Sequence, residues 1–198
     1  LPRYTSPDDI NENSKIEELY FIHKMAARFF YDQWKNPLSQ FARDYLKKRG
    51  FDEKMVTIFG IGYAPDTWDA LINHCQSQSV DIKLLERAGL AIAKTGGGYY
   101  DRFRHRVMFP VFNVSGRVIA FGGRQLREEP NSPKYVNSPE SPIYQKGKVL
   151  YGLSQAKDSI RKLDEIIIVE GYADCISLHQ FGITNVAASS GTAFTMDQ

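Results

Sequence analysis

The chain has 198 residues, of which 42% are hydrophobic and 24% charged, with 15 glycines and 9 prolines. These proportions exclude disordered, collagen-like and low-complexity chains, and the length suits one domain or two small ones. The formal net charge is +2, yet residues 99–148 hold nine Lys and Arg against four Asp and Glu, so that segment is +5 and the remainder −3. A local basic field points to an anionic partner at one surface, although a solvated charged face leaves the same trace. The longest aliphatic run, Ile166 to Val169, is far short of a membrane span, and no apolar signal segment follows Leu1. Cys75 and Cys175 alone build neither a disulfide framework nor a Cys-based zinc site. A cytoplasmic protein without a membrane partner fits these features.

In chain order, residues 1–15 are polar, carry two prolines and read as a linker. Ser14-Lys15-Ile16-Glu17 has a capping-box pattern, and Ile16, Leu19, His23, Ala26, Phe30 and Trp34 recur at helical spacing behind it. Asn36-Pro37 restarts the chain. Leu38, Phe41, Ala42, Tyr45 and Leu46 mark a second helix that ends in Lys47-Lys48-Arg49, with Gly50 as its cap. Short helical stretches are predicted near Asp52–Phe59, Asp66–Cys75 and Asp81–Ala88.

Between Tyr99 and Arg124 the pattern becomes β-branched and aromatic. Val107–Phe112 and Arg117–Phe121 read as strands, with Asn113-Val114-Ser115-Gly116 as the hairpin turn and Pro110 marking an edge or bulge. Glu128 to Pro142 reads as a loop. Ile166–Val169, Asp174–Phe181 and Asn185–Ala188 then predict strand, helix, strand, the opening of a parallel βαβ unit. Thr195-Met196-Asp197-Gln198 repeats the capping-box pattern where the sequence stops, so the chain reads as part of a longer protein. The fold class is α/β: an α+β part followed by an opening βαβ.

Three groups of residues carry candidate chemistry. Glu170 stands at the carboxyl end of a predicted strand, where open α/β sheets place ligands, and Asp174 follows near the start of the next helix. Two such carboxylates suit Mg²⁺, or they merely cap the helix. Arg102, Arg104 and Arg106 alternate with Phe103 and His105; on a strand the three guanidiniums would share one face and need anions or water over them. Gly122-Gly123-Arg124 lets backbone approach a ligand, while Arg124 and Lys134 suit phosphate and Tyr135 suits stacking on a base. His23, His74, His105 and His179 lack ligand spacing and read as surface or boundary residues. Ser189-Ser190-Gly191-Thr192 is not a nucleophile elbow, and no Walker A pattern occurs.

At these residues the chain resembles the bacterial DNA primase (DnaG) family. The ordered series is Phe41 to Gly50, Ile61-Gly62-Tyr63-Ala64-Pro65, Asp101 to Pro110, Gly116 to Arg124, Pro133 to Glu140, Lys146-Gly147, Leu150-Tyr151-Gly152-Leu153 and Val169 to Asp174. The resemblance implies an N-terminal subdomain with a basic groove over residues 16–160 and a truncated Toprim subdomain over 161–198. It implies Glu170 as catalytic acid and metal ligand, Asp174 as a further metal ligand, and Mg²⁺ or Mn²⁺ as cofactor. It assigns Arg49, Arg124, Lys134, Tyr135, Asn137 and Lys146 to template or nucleotide binding, with Arg102, Arg104 and Arg106 extending the groove.

The implied activity is template-directed synthesis of short RNA primers on single-stranded DNA from ribonucleoside triphosphates, in the bacterial replisome. The family's zinc module and helicase-binding domain, which reach the replicative helicase and single-strand binding protein, match nothing in this sequence. Its acidic Asp-x-Asp motifs are expected beyond Gln198, so the chain alone should be inactive. Ala173 stands where many relatives have Met. Two other classes stay open on the residues: a non-catalytic nucleic-acid or nucleotide-binding module, and another Toprim enzyme such as a topoisomerase or nuclease.

Overall fold

A long helix, α1 (Pro7–Lys35), opens the computed structural model, which describes residues 7–127, 132–190 and 194–198, with side chains from residue 11 onward. Residues 7–15 are therefore helical rather than a linker, and residues 1–6 lie outside the described residues. The misreading has a simple cause. Asn11 to Lys15 are all exposed, and a fully solvated helical turn has the composition of a linker. Pro7 is tolerated because the first turn has no intrahelical use for its missing N–H. Ser14 consequently lies inside α1 rather than at its cap.

The apolar stripe of α1 (Leu19, Ile22, Ala26, Phe29, Phe30) is buried against a four-stranded antiparallel sheet. The sheet order is β1 (Gly62–Ala64), β4 (Arg106–Phe112), β5 (Val118–Gln125), β6 (Tyr135–Asn137). Gly62 is required there: a Cβ on it would stand 2.6 Å from the Phe30 carbonyl carbon. The hairpin at residues 113–116 forms where the sequence predicts it. Pro110 lies on a strand interior to the sheet, but at its own position that strand has a free edge, next to a register irregularity at Val111/Phe112. It is accommodated because β1 pairs only with Arg106 to Met108 and has ended before Pro110 is reached, so no ladder hydrogen bond is lost on that side. β6 lies inside the segment predicted as a loop; residues 128–131 of that segment are outside the described residues.

The remaining N-terminal elements frame this sheet. They are α2 (Gln40–Lys48), α3 (Glu53–Phe59), α4 (Ala70–Gln76), α5 (Ile82–Arg87) and the hairpin β2 (Ala91–Ala93) with β3 (Tyr99–Asp101). The predicted helix ends hold well. Asp52 and Asp81 cap α3 and α5 through their carboxylates, and Gly50 and Gly60 leave helices with left-handed φ. The helix predicted from Asp66 begins only at Ala70, because Asp66 to Asp69 form bends.

The C-terminal part is a helix, α6 (Leu153–Leu163), followed by a βαβ unit of β7 (Ile167–Val169), α7 (Tyr172–Gln180) and β8 (Val186–Ala188), with β7 and β8 parallel. α6 spans the predicted boundary at 160/161. The far edge of β8 is closed by a two-bond bridge to Tyr151. One core runs from Phe59, Ile61, Val107 and Phe109 through Tyr151 and Tyr172 to Val186 and Ala188. A second core, containing Met108 and Phe121, packs under α1. The sheet is thus covered on both faces, α1 on one and the βαβ unit on the other. Among the described residues, no helix is long and apolar enough to cross a membrane.

Two histidines depart from the sequence reading. His23 is 1% exposed, stacks on Phe121 and donates from its ring to the Leu19 carbonyl at 2.7 Å; burial pulls its pKa down to about 4. His179 is also buried, against the Val186 carbonyl at 2.9 Å. Each sits on the inner face of its helix, where a neutral imidazole packs like an aromatic ring once one nitrogen is satisfied.

Candidate nucleic-acid and metal site

Glu170 leaves the carboxyl end of β7 and is exposed; Asp174 is exposed in the first turn of α7. Between them Gly171 has no side chain, and Asp174 Oδ2 lies 3.1 Å from where a Cβ would start, so that carboxylate folds back over the turn. Two exposed oxygen donors fit a hard divalent cation, with water or substrate phosphate completing the shell. They fit as part of a site only: among the described residues no group of three or more His, Cys, Asp and Glu converges.

The turn is fastened to the sheet by Tyr172. Phe109, Gly122 and Asn137 are cross-strand partners on β4, β5 and β6, and the Tyr172 ring lies along that row. It stacks on Phe109 at 5.3 Å and 4°, and its hydroxyl donates to Asn137 Oδ1 at 2.8 Å. A Cβ on Gly122 would stand 2.5 Å from the ring. Gly123 turns to the other face, where a Cβ would crowd Phe103 at 2.9 Å and Arg106 at 3.0 Å. The glycine pair therefore serves internal packing rather than the backbone approach to a ligand that the sequence suggests.

Arg124 lies two residues beyond Gly122 on the same strand face. Tyr45 and Tyr135 both hydrogen-bond its guanidinium through their hydroxyls, and it sits near the faces of both rings. With Arg49, Gln125, Leu126, Ser132 and Lys134 it lines a cavity of about 480 Å³. The structure thus brings together Arg49, Arg124 and Lys134, with Tyr135 against Arg124. It does not bring Lys146 to them. That residue is in a 3-10 turn whose backbone N–H donates to the Glu140 carboxylate at 3.0 Å.

Arg102, Arg104 and Arg106 do not form a strand ladder. β3 ends at Asp101 and β4 begins at Arg106; between them His105 has φ +51°, which breaks the alternation. They still line one cavity, of about 510 Å³, with Trp68, Tyr100 and His105. Arg104 lies 4.1 Å over Trp68 and 5.1 Å from the Tyr100 ring. Arg102 is half-buried with its Nε unpartnered, and burial lowers its pKa. Arg106 is buried and donates to the Gly123, Pro133 and Lys134 carbonyls and to Ser132 Oγ. It faces away from Arg124, since Val107 and not Arg106 is the cross-strand partner of Arg124. Ser132 lines both cavities, so the two meet at the segment Arg106 holds.

The comparisons fit this geometry. Residues 29–157 match the family described as the N-terminal domain of the DNA primase catalytic core. The chain belongs to the DNA primase catalytic core family. Residues 164–198 match the Toprim domain. A DNA primase of Halalkalibacterium halodurans is 44% identical over 200 residues, covering 100% of this chain and 33% of that protein. The chain thus spans about a third of the length of this curated relative. The RNA polymerase domain of Mycobacterium tuberculosis primase DnaG superposes with a TM-score of 0.86 at 36% identity, covering 91% of this chain and 59% of that one. A DnaG primase catalytic domain bound to single-stranded DNA gives 0.87 at 38%, covering 93% and 59%. The α/β class expected from the sequence is the one these primase cores share.

Sequence reasoning missed Tyr45, Trp68 and Tyr172. Local spacing places Tyr45 in helix packing and Trp68 in a helix. Their role as partners of Arg124 and Arg104 is set by chain segments 79 and 36 residues apart, which no local pattern reports.

Proposed function

We propose that this chain supplies the template groove and the opening part of the metal site of a primase, which copies single-stranded DNA into short RNA primers from ribonucleoside triphosphates. The observation that carries this reading is the pair of arginine-lined cavities meeting at Ser132, with the Glu170 turn docked through Tyr172 on the sheet face that carries Arg124. Residues 1–15 would lead into the groove-bearing part (16–160), and residues 161–198 would begin the Toprim part.

In this reading Arg102 and Arg104 hold template phosphates, with Trp68 and Tyr100 offering faces to bases. Arg49, Arg124 and Lys134 hold the phosphates of the incoming nucleotide or the primer, and Tyr135 orients Arg124. Glu170 and Asp174 would hold Mg²⁺ or Mn²⁺, which when bound neutralises phosphate charge and lowers the pKa of a coordinated hydroxyl. Helicase and single-strand binding protein would be met by parts of a longer polypeptide.

The test is Glu170→Gln in the full-length polypeptide that carries this chain, assayed for RNA synthesis on single-stranded DNA. Loss of at least about 100-fold in rate, with DNA affinity within twofold, is expected for a carboxylate at the reacting centre. Unchanged synthesis would remove Glu170 from the chemistry, leaving a binding module. Nicking of supercoiled DNA by the wild type would point to a different Toprim enzyme.

A further inference from the structure

Resting on the primase reading, one contact carries a consequence for how the carboxylate turn is aimed. Glu170 is solvated at the end of a strand only three residues long, so β7 alone does little to fix its direction. Tyr172, two residues on, is 4% exposed and is the first residue of α7. Its ring spans three strands along the row Phe109, Gly122, Asn137, and the middle position of that row is empty of side chain. A ring edge-on from Tyr151 at 4.6 Å closes it from another side. Its hydroxyl ends on Asn137, two residues from Tyr135, which holds Arg124.

The covalent step from Glu170 to Tyr172 and the contacts from Tyr172 to the β6 residues beside Arg124 make one short mechanical path. Packing alone would be met by phenylalanine; the hydroxyl adds direction. A ring stacked on a flat row can slide along it, and a hydrogen bond at its far end fixes where along the row it stops. Asn137 thereby has a use distinct from touching nucleic acid.

We infer that Tyr172 is a positioning residue, registering the Glu170 turn against the Arg124–Tyr135 face through the bond between its hydroxyl and Asn137. A displacement of the turn by a fraction of an ångström would then weaken the reacting geometry without loosening the fold.

The experiment compares wild type, Tyr172→Phe, Asn137→Ala and the double variant in the full-length polypeptide. Steady-state primer synthesis is measured alongside Mn²⁺ affinity by titration, single-stranded DNA affinity and melting temperature. Tyr172→Phe keeps the ring, so a folded protein is expected. The expected result is a kcat about tenfold lower, nucleotide KM and DNA affinity within about twofold, Mn²⁺ bound about threefold more weakly, and a double variant no worse than Asn137→Ala.

Wild-type kcat and Mn²⁺ affinity in Tyr172→Phe would overturn the inference. So would a parallel fall of kcat, DNA affinity and melting temperature, which is the signature of packing alone. If the wild type makes no RNA, the primase reading fails by itself, while the Mn²⁺ comparison still decides the positioning role.

Discussion

Arginines in two regions of this molecule differ in whether a carboxylate holds them. Away from the cavities, Arg28, Arg87 and Arg117 pair with Asp32, Glu18 and Glu17 at 2.8, 2.5 and 2.6 Å. Arg102, Arg104 and Arg124, which line the cavities, make no ion pair with a carboxylate among the described residues. Arg104 is placed by rings and by the Asp101 carbonyl, and Arg124 by two phenols. A carboxylate would orient a guanidinium but cancel its charge. A phenol or a ring orients it and leaves the charge for an incoming anion. A carboxylate that does lie beside these arginines, Asp101, is turned the other way: it accepts from the Leu71 and Ile72 N–H groups at the start of α4, at 2.8 and 3.1 Å.

The contrast can be broken at several points. The largest effect is expected at Arg106, whose buried guanidinium donates to the Gly123, Pro133 and Lys134 carbonyls and to Ser132 Oγ, and so ties the 132–134 segment to the sheet. Arg106→Ala should cost about 3 kcal/mol of stability, read by chemical denaturation, because several charge-assisted hydrogen bonds are lost together and a buried side chain is removed. A loss below 1 kcal/mol would make it an ordinary cavity cation instead.

Asp101 gives the next largest effect. Burial pushes its carboxyl up to about 6 from an ordinary 3.8, against the two N–H groups that favour the charged form. The folded state therefore binds the proton more tightly than the unfolded chain. Stability should fall as pH rises from about 4 to about 6, and Asp101→Asn should remove that slope, worth about 2 kcal/mol. Melting curves of both proteins across that window test it; parallel curves would mean that the helix N–H groups cancel the burial.

Tyr45→Phe is expected to act more mildly. It removes one hydroxyl from Arg124 and keeps the ring, so affinity for a nucleoside triphosphate should fall about fivefold with little change in melting temperature. An unchanged affinity would show that Tyr135 orients Arg124 unaided.

These residues also show what a sequence carries and what it does not. Helix ends at Gly50, Asp52 and Asp81, the hairpin at Asn113-Val114-Ser115-Gly116 and the βαβ order follow from short-range stereochemistry, and they were legible. So was the co-location of Arg49, Arg124 and Lys134, through motif resemblance. The failures arise where a residue's partner is remote. Whether Gly122 faces a ligand or the Tyr172 ring depends on a helix fifty residues later. Whether Arg106 lies beside Arg104 or beneath the 132–134 segment depends on one left-handed residue, His105. Pro110, by contrast, reports its surroundings: β1 ends before reaching it and the β4–β5 register shifts at Val111/Phe112, the edge or bulge that a proline in a strand predicts.

The most direct measurement is the salt dependence of single-stranded DNA binding by the chain, compared between Arg102→Ala/Arg104→Ala and Arg117→Ala. If neutral partners leave the cavity arginines charged for phosphate, the first variant should lower the slope of log affinity against log salt by about 1.4, and the second should leave it within error. Equal slopes for the two variants would contradict the account.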